Sequence, residues 1–230
     1  LLQRGTFSHR RRCCGVAAPL YAHYLAQTEA TWHPGYDQTL ARHEADYQRV
    51  VAWLTGPVPG GKQIFYQKQM AHHLLPTMNL DWIDGFRHAL LIREPRATLI
   101  SMSKVFPTLN VEATGLLQQA ALYERLLSSQ GVPPPIVDAR DVLLDPPRML
   151  RRLCEALEVL FDPKMLSWAP GPRPTDGAWA PYFYDKVYRS TRFTAPGSAH
   201  AESLPAKCER VLATCEPIYQ RLHERRLTVA

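Results

Sequence analysis

The 230-residue chain has no uninterrupted apolar run of the roughly eighteen residues that a membrane span needs. Its opening, LLQRGTFSHRRRCC, carries no apolar core of a secretory signal and begins on Leu rather than Met. The segment is instead Arg-rich and free of acids, which fits a transit-like tail, a truncation edge or an altered terminus. Residues 1–16 are therefore expected to be poorly ordered. Cysteine is scarce: Cys13, Cys14, Cys154, Cys208 and Cys215 have neither metal-ligand spacing nor the even count of a secreted disulfide framework. Reduced thiols, a cytoplasmic location and no metal site are the expectation. Acidic residues are also in deficit, 21 against 27 Lys and Arg, giving a net charge of +6 and a pI near 9.2. That balance favours anionic ligands. No basic run interleaved with aromatics makes a nucleic-acid reader motif, so specific nucleic-acid binding ranks low.

A further lack decides the reading of GPVPGGKQ, Gly56 to Gln63. Gly56, Gly61 and Lys62 match a phosphate-binding loop, but Gln63 stands where the pattern needs a hydroxyl. Pro57 and Pro59 have no N–H to turn toward an anion. The stretch also runs from a helical pattern into a strand pattern, the reverse of what such a loop requires. It reads as a Pro/Gly turn.

What is present, with 46% hydrophobic composition, suffices for a sizeable core. Apolar periodicity predicts a helix over 37–54, a strand at QIFYQK, a helical turn through MAHHLL and a buried strand at HALLIR, 88–93. A helix from Pro95, a long helix over 111–130, a strand at PIVDAR, 135–140, and a helix through PPRMLRRLCEALEVL follow. SWAPGPRPTDGAWAP, about 167–181, reads as a Pro/Gly-rich lid loop, with helices near 181–189 and 203–226 after it. Strands separated by helices predict an α/β fold: a three-layer domain, its parallel sheet flanked by helices, occupying residues 17–230 as a single unit.

In HALLIREPRATLISMSK, Arg93 falls at the carboxyl end of a central strand, where open parallel sheets bind ligands. Ser101 lies seven residues beyond Glu94, two turns along one helix face and about 10 Å along the axis. A guanidinium fork and a hydroxyl are the donors that a phosphate monoester needs.

Arg93, a Pro-containing turn and Ser101 resemble the 3′-phosphate motif of the sulfotransferases that use 3′-phosphoadenosine 5′-phosphosulfate. APLYAHYLAQT, HPGYD, IFYQKQMAHHLLP, PIVDARDVLLDPPRMLRRLCEAL and the later W-x-x-G-P, DG-x-W-A-P-Y and V-Y-R-S-T runs are similar to a bacterial and plant branch of that family, over roughly residues 18–194. The resemblance implies a P-loop nucleoside-kinase-like fold and sulfuryl transfer from that adenylyl donor to a small-molecule hydroxyl or amine, without a metal. It implies that Lys68 lies near the sulfonate, with His72 or His73 as base, because Met70 occupies the family's usual histidine position. It also implies that Arg192, after Ser190 and Thr191, falls where relatives carry a basic loop gripping the 3′-phosphate. Paired histidines in a short turn are otherwise surface or capping residues.

The chain departs from the family pattern in two places. Ala17 and Ala18 stand where many relatives carry an acidic pair, and LLQRGTFSHRRRCCGVA offers no strand-length apolar stretch to aim a 5′-phosphosulfate loop. The chain as given is thus expected to be a poor sulfotransferase, and the alternative is a catalytically deficient binding protein that keeps the 3′-phosphate half-site. The acceptor and the oligomeric state are not encoded in any motif.

Overall fold

A computed structural model describes residues 13–197 and 202–229. In chain order its elements are β1 (Cys13–Ala17), α1 (Tyr21–Thr28), α2 (Tyr36–Arg42), α3 (Tyr47–Thr55), β2 (Ile64–Lys68), β3 (Leu90–Ile92), α4 (Pro95–Met102), α5 (Val111–Thr114) and α6 (Leu116–Gln130). There follow β4 (Ile136–Asp138), α7 (Ala139–Leu144), α8 (Pro146–Ala156), α9 (Ala180–Phe183), α10 (Asp185–Arg189) and α11 (Glu209–His223). The expected α/β architecture with parallel strands flanked by helices is present. Among the described residues the strands form two parallel ladders, β1 with β2 and β3 with β4, where one continuous sheet was expected. Two compact units result, one running up to Trp82 and including Asp162–Phe193, the other made of Ile83–Phe161 and the residues after Phe193.

In the first unit β1 pairs with β2 from Cys13↔Ile64 to Ala17↔Lys68. This corrects two expectations: CCGVA is a strand, and Cys13–Val16 are not a loose tail. The expectation for residues 1–12 lies outside the described residues. Five small or apolar residues next to an arginine run carry little periodicity, and the ladder partner is 51 positions away. The helix expected over 37–54 is two. Asp46 accepts the Arg49 N–H at 2.8 Å and so caps a new start. His43, between the two helices, turns its Nε2 to accept the Ala178 N–H at 3.0 Å. GPVPGGKQ is the helix-to-strand turn expected of it: α3 ends at Thr55, Gly60 and Gly61 adopt φ of 63° and 62°, and β2 begins at Ile64. In the later segment Trp168 N–H bonds to Thr191 O at 2.8 Å beside a single antiparallel bridge, Ser167↔Arg192. Ala17, Ala18, Tyr21, Leu25, Ala30 and Trp179 form one core cluster of this unit. Burying a leucine such as Leu25 contributes roughly 2 kcal/mol.

In the second unit β3 and β4 run parallel with Leu90↔Ile136 and Ile92↔Asp138 in register. Pro95 opens α4 at its first turn, as the sequence implied. The helix expected over 111–130 breaks at Gly115, whose φ of 76° closes α5 before α6 begins. Asp145 caps α8 through the Arg148 N–H, and Met149, Leu150, Leu153 and Cys154 fill the buried face of that helix. The helix expected over 203–226 is α11 with a short 3-10 turn before it, Ala206–Cys208. Val211, Cys215, Ile218, Tyr219 and Leu222 on α11 pack with Leu90, Ile92, Leu99, Leu116, Tyr123 and Ile136. Beyond the helix, Leu227 N–H bonds to Ile136 O at 2.7 Å, which ties this segment to β4.

Candidate functional site

Lys68 is the last residue of β2, and its carbonyl accepts the Ala18 N–H at 2.7 Å. Ala18 is held at φ 46°, a left-handed conformation uncommon for a residue with a side chain, where the chain turns from β1 into α1. Beyond Lys68 the chain makes a 3-10 turn, Ala71–His73, which sends two histidines back toward α1. His73 is 3% exposed and lies between Tyr21 and Tyr24, with each ring centroid 4.8 Å away and interplanar angles of 8° and 27°. His72 meets His73 edge-on at 4.4 Å and Tyr24 at 5.7 Å. His33, buried, joins through its Nδ1, 2.8 Å from the Tyr21 hydroxyl, and Trp179 abuts Tyr21 at 5.1 Å with its ring perpendicular.

The electrostatics follow from burial. Desolvation draws the Lys68 ammonium down to about 8, and no carboxylate among the described residues offsets it. Desolvation, then the charges of His33 and Lys68, bring His72 down to about 4. His73 is pushed well below the ordinary histidine value by burial, His72, Lys68 and His33. His33 falls to about 4 by burial alone. The three imidazoles are therefore neutral at pH 7. Burial, with the neighbouring Tyr24, also raises Tyr21, so its hydroxyl keeps its proton while hydrogen-bonded to His33 Nδ1. Both amide atoms of Gln69 and His73 Nδ1 are buried without a hydrogen-bond partner. Lys68 has no ion pair among the described residues, and a desolvated cation at a strand end is chemically suited to an oxyanion.

Lys68, His72 and His73, expected from the sequence, thus come together; His73 is buried and ring-stacked, and His72 is half-buried and packed edge-on against His73 and Tyr24. Arg192 is exposed in the same unit, on a cleft of about 500 Å³ lined also by Lys164, Ser167, Trp168, Ala169 and Thr191. Trp179 is packed, 6% exposed, against Tyr21 and His43.

Arg93 and Ser101 belong to the second unit. Arg93 immediately follows β3, and its exposed side chain keeps its charge. Partial desolvation lowers its pKa, while the carboxylates of Glu94 and Asp138 oppose the drop. Ser101 lies exposed near the end of α4, away from the buried side formed by Pro95, Leu99 and Ile100. Sequence reasoning missed roles for Tyr21, Tyr24 and His33. Their signal was present in APLYAHYL and HPGYD, but the rings meet only after three distant segments pack. Among the described residues no group of three or more His, Cys, Asp or Glu is arranged to hold a metal ion. Among them, too, no helix is long and apolar enough to cross a membrane.

A parallel strand pair ending on Lys68, beside His72 and His73, lies within an α/β protein whose strands are flanked by helices. The chain belongs to the sulfotransferase domain family, whose profile matches residues 4–226. It is 33% identical over 204 residues to branched-chain-amino-acid aminotransferase-like protein 2 of Arabidopsis thaliana, covering 89% of this chain and 36% of that protein. It is 33% identical over 217 residues to branched-chain-amino-acid aminotransferase-like protein 1 of the same plant, covering 94% and 38%. The chain thus spans little more than a third of the length of these curated relatives. A sulfotransferase domain from the curacin biosynthetic pathway is similar at a TM-score of 0.40 and 17% identity, covering 68% of this chain and 63% of that one.

Proposed function

We propose that this domain transfers a sulfuryl group from 3′-phosphoadenosine 5′-phosphosulfate to a small-molecule hydroxyl or amine, in a cytoplasmic setting. The observation that carries the reading is Lys68: a desolvated ammonium at a strand's carboxyl end, with no carboxylate among the described residues neutralising it. In the transfer the acceptor oxygen or nitrogen forms a bond to sulfur as the bond from sulfur to the bridging phosphate oxygen breaks. Negative charge grows on the leaving phosphate, and adenosine 3′,5′-bisphosphate departs. A fixed cation beside the transferring oxygens stabilises that charge. We assign this role to Lys68. His72 takes the acceptor proton, with His73 packed behind it. Burial is the main cause of the low His72 value; an oxyanion beside Lys68 would offset the smaller contribution of the Lys68 charge. To Arg93 and Ser101, on the segment that resembles the family's 3′-phosphate motif, we assign the 3′-phosphate.

A second reading, a binding protein without turnover, is favoured by Ala17 and Ala18. They are 2% and 3% exposed at positions where relatives carry acids, and they offer no carboxylate to the site. Calorimetry with adenosine 3′,5′-bisphosphate, followed by incubation with donor and a panel of phenols, alcohols and amines, separates the readings. Binding with sulfated product supports transfer. Binding without product supports the second reading, and no binding removes both.

A further inference from the structure

Asp138 and Tyr219 form a buried polar pair that the reading above does not use. Asp138 ends β4, is 2% exposed and lies in register with Ile92, the residue before Arg93. Its Oδ1 accepts the Arg140 N–H at 2.7 Å, and its Oδ2 accepts the Tyr219 hydroxyl at 2.9 Å. Tyr219 comes from α11, 8% exposed, with Cys215, Ile218 and Leu222 around it in the core. Burial and the Asp138 charge raise the phenol, with Glu94 adding to them and Arg226 opposing, so it remains a donor at any working pH.

A buried carboxylate near a guanidinium ordinarily closes on it in a two-pronged ion pair. Arg93 senses the charges of Glu94 and Asp138, yet it is ion-paired to neither among the described residues. A cation close to Tyr219 is already committed: Arg226 Nε binds Asp141 at 2.7 Å, and its Nη1 binds His223 O at 2.9 Å. Each oxygen of Asp138 has a donor, and Arg93 is left over.

We propose that Tyr219 is a positioning residue. By donating its hydroxyl to Asp138, it keeps that carboxylate from closing on Arg93 and leaves the guanidinium free for a phosphomonoester. Asp138 in turn acts as a tethered countercharge that holds the region's charge balance without occupying the arginine. The inference rests on the assignment of Arg93 to the 3′-phosphate.

The test uses the full chain and calorimetry with adenosine 3′,5′-bisphosphate and adenosine 5′-phosphate. The ratio of the two affinities, measured on one preparation, does not depend on the fraction folded. Tyr219→Phe is expected to reduce that ratio about tenfold by freeing Asp138 to pair with Arg93. Adding Asp138→Asn to it removes the competing charge and is expected to return the ratio to the native value. A merely structural tyrosine would not be rescued by a second change in the core. An unchanged ratio in Tyr219→Phe, or a double variant that stays low, overturns the proposal. If Arg93→Ala lowers the ratio while Tyr219→Phe does not, this inference fails and the assignment of Arg93 stands. If Arg93→Ala leaves the ratio unchanged, or the native chain binds neither nucleotide, both fail.

Discussion

Replacing Lys68 with Met keeps the stem and removes the charge. Burial draws the Lys68 ammonium from 10.5 to about 8, so the charged form is disfavoured in the folded chain relative to the unfolded one. At about 1.4 kcal/mol per pH unit, this costs the fold about 3 kcal/mol at pH 7. The direction is opposite to that of a lysine that gains a partner on folding. The penalty is complete below about 8, shrinks as pH rises and vanishes above 10.5, where the amine is neutral in both states. Lys68→Met is therefore expected to stabilise the chain by about 3 kcal/mol at pH 7 and by about 1 kcal/mol at pH 10, read from urea midpoints at unchanged slope. The same variant is expected to lose binding of adenosine 3′-phosphate 5′-phosphosulfate while gaining stability, the trade expected where a charge is kept for function. Equal gains at the two pH values, or a loss of stability at pH 7, would refute the desolvation argument.

Arg93→Ala is expected to weaken adenosine 3′,5′-bisphosphate by about 1.5 to 3 kcal/mol and to leave adenosine 5′-phosphate nearly unchanged, since only the first ligand presents a 3′-phosphate; calorimetry reads the difference. Gly35 has φ 78°, and a Cβ there would lie 2.6 Å from Tyr182 Cε2. Gly35→Ala is expected to cost about 2 kcal/mol, a fall of roughly 4 to 8 °C in Tm. Gly61→Ala, with φ 62° and open space around it, should cost less, and a thermal melt in which it falls as far would show that the Tyr182 contact is unimportant. None of the five cysteines is in a disulfide, and all but Cys14 are buried. One thiol should react with a disulfide reagent in the native chain, slowly because burial raises Cys14, and five should react in urea.

Local chemistry made much of the fold legible. Pro57 and Pro59 identified a turn in GPVPGGKQ, Pro95 marked the start of α4, and the apolar runs at IFYQK and LLI located β2 and β3. Where the reading departed from the structure, a distant partner decided. His43 leaves the helical pattern because Ala178, far along the chain, supplies its hydrogen bond. Gly115 breaks a helix by a left-handed turn that periodicity tolerates. CCGVA becomes a strand only because IFYQK lies beside it. The site divides in the same way. The position of Lys68 at a strand end was legible, whereas the packing of His72 and His73 was not, since Tyr21 and Tyr24 meet them from another segment. The Asp138 to Tyr219 bond joins residues 81 positions apart and leaves no local signal beyond Asp138 as a cap for α7.

The chain leaves its first unit at Trp82 and returns to it only at Asp162, after most of the second unit has intervened. The second unit must in turn wait for α11, whose buried side fills the core around β3 and β4, and for Leu227 to bond to Ile136. Neither unit can close in the order in which a ribosome delivers its residues. The nascent chain therefore carries β1 with β2, and later β3 with β4, as pairs lacking part of their apolar cover until synthesis has moved far beyond them. That interval exposes strand edges and core residues together, and it makes translation speed and chaperone access determinants of yield.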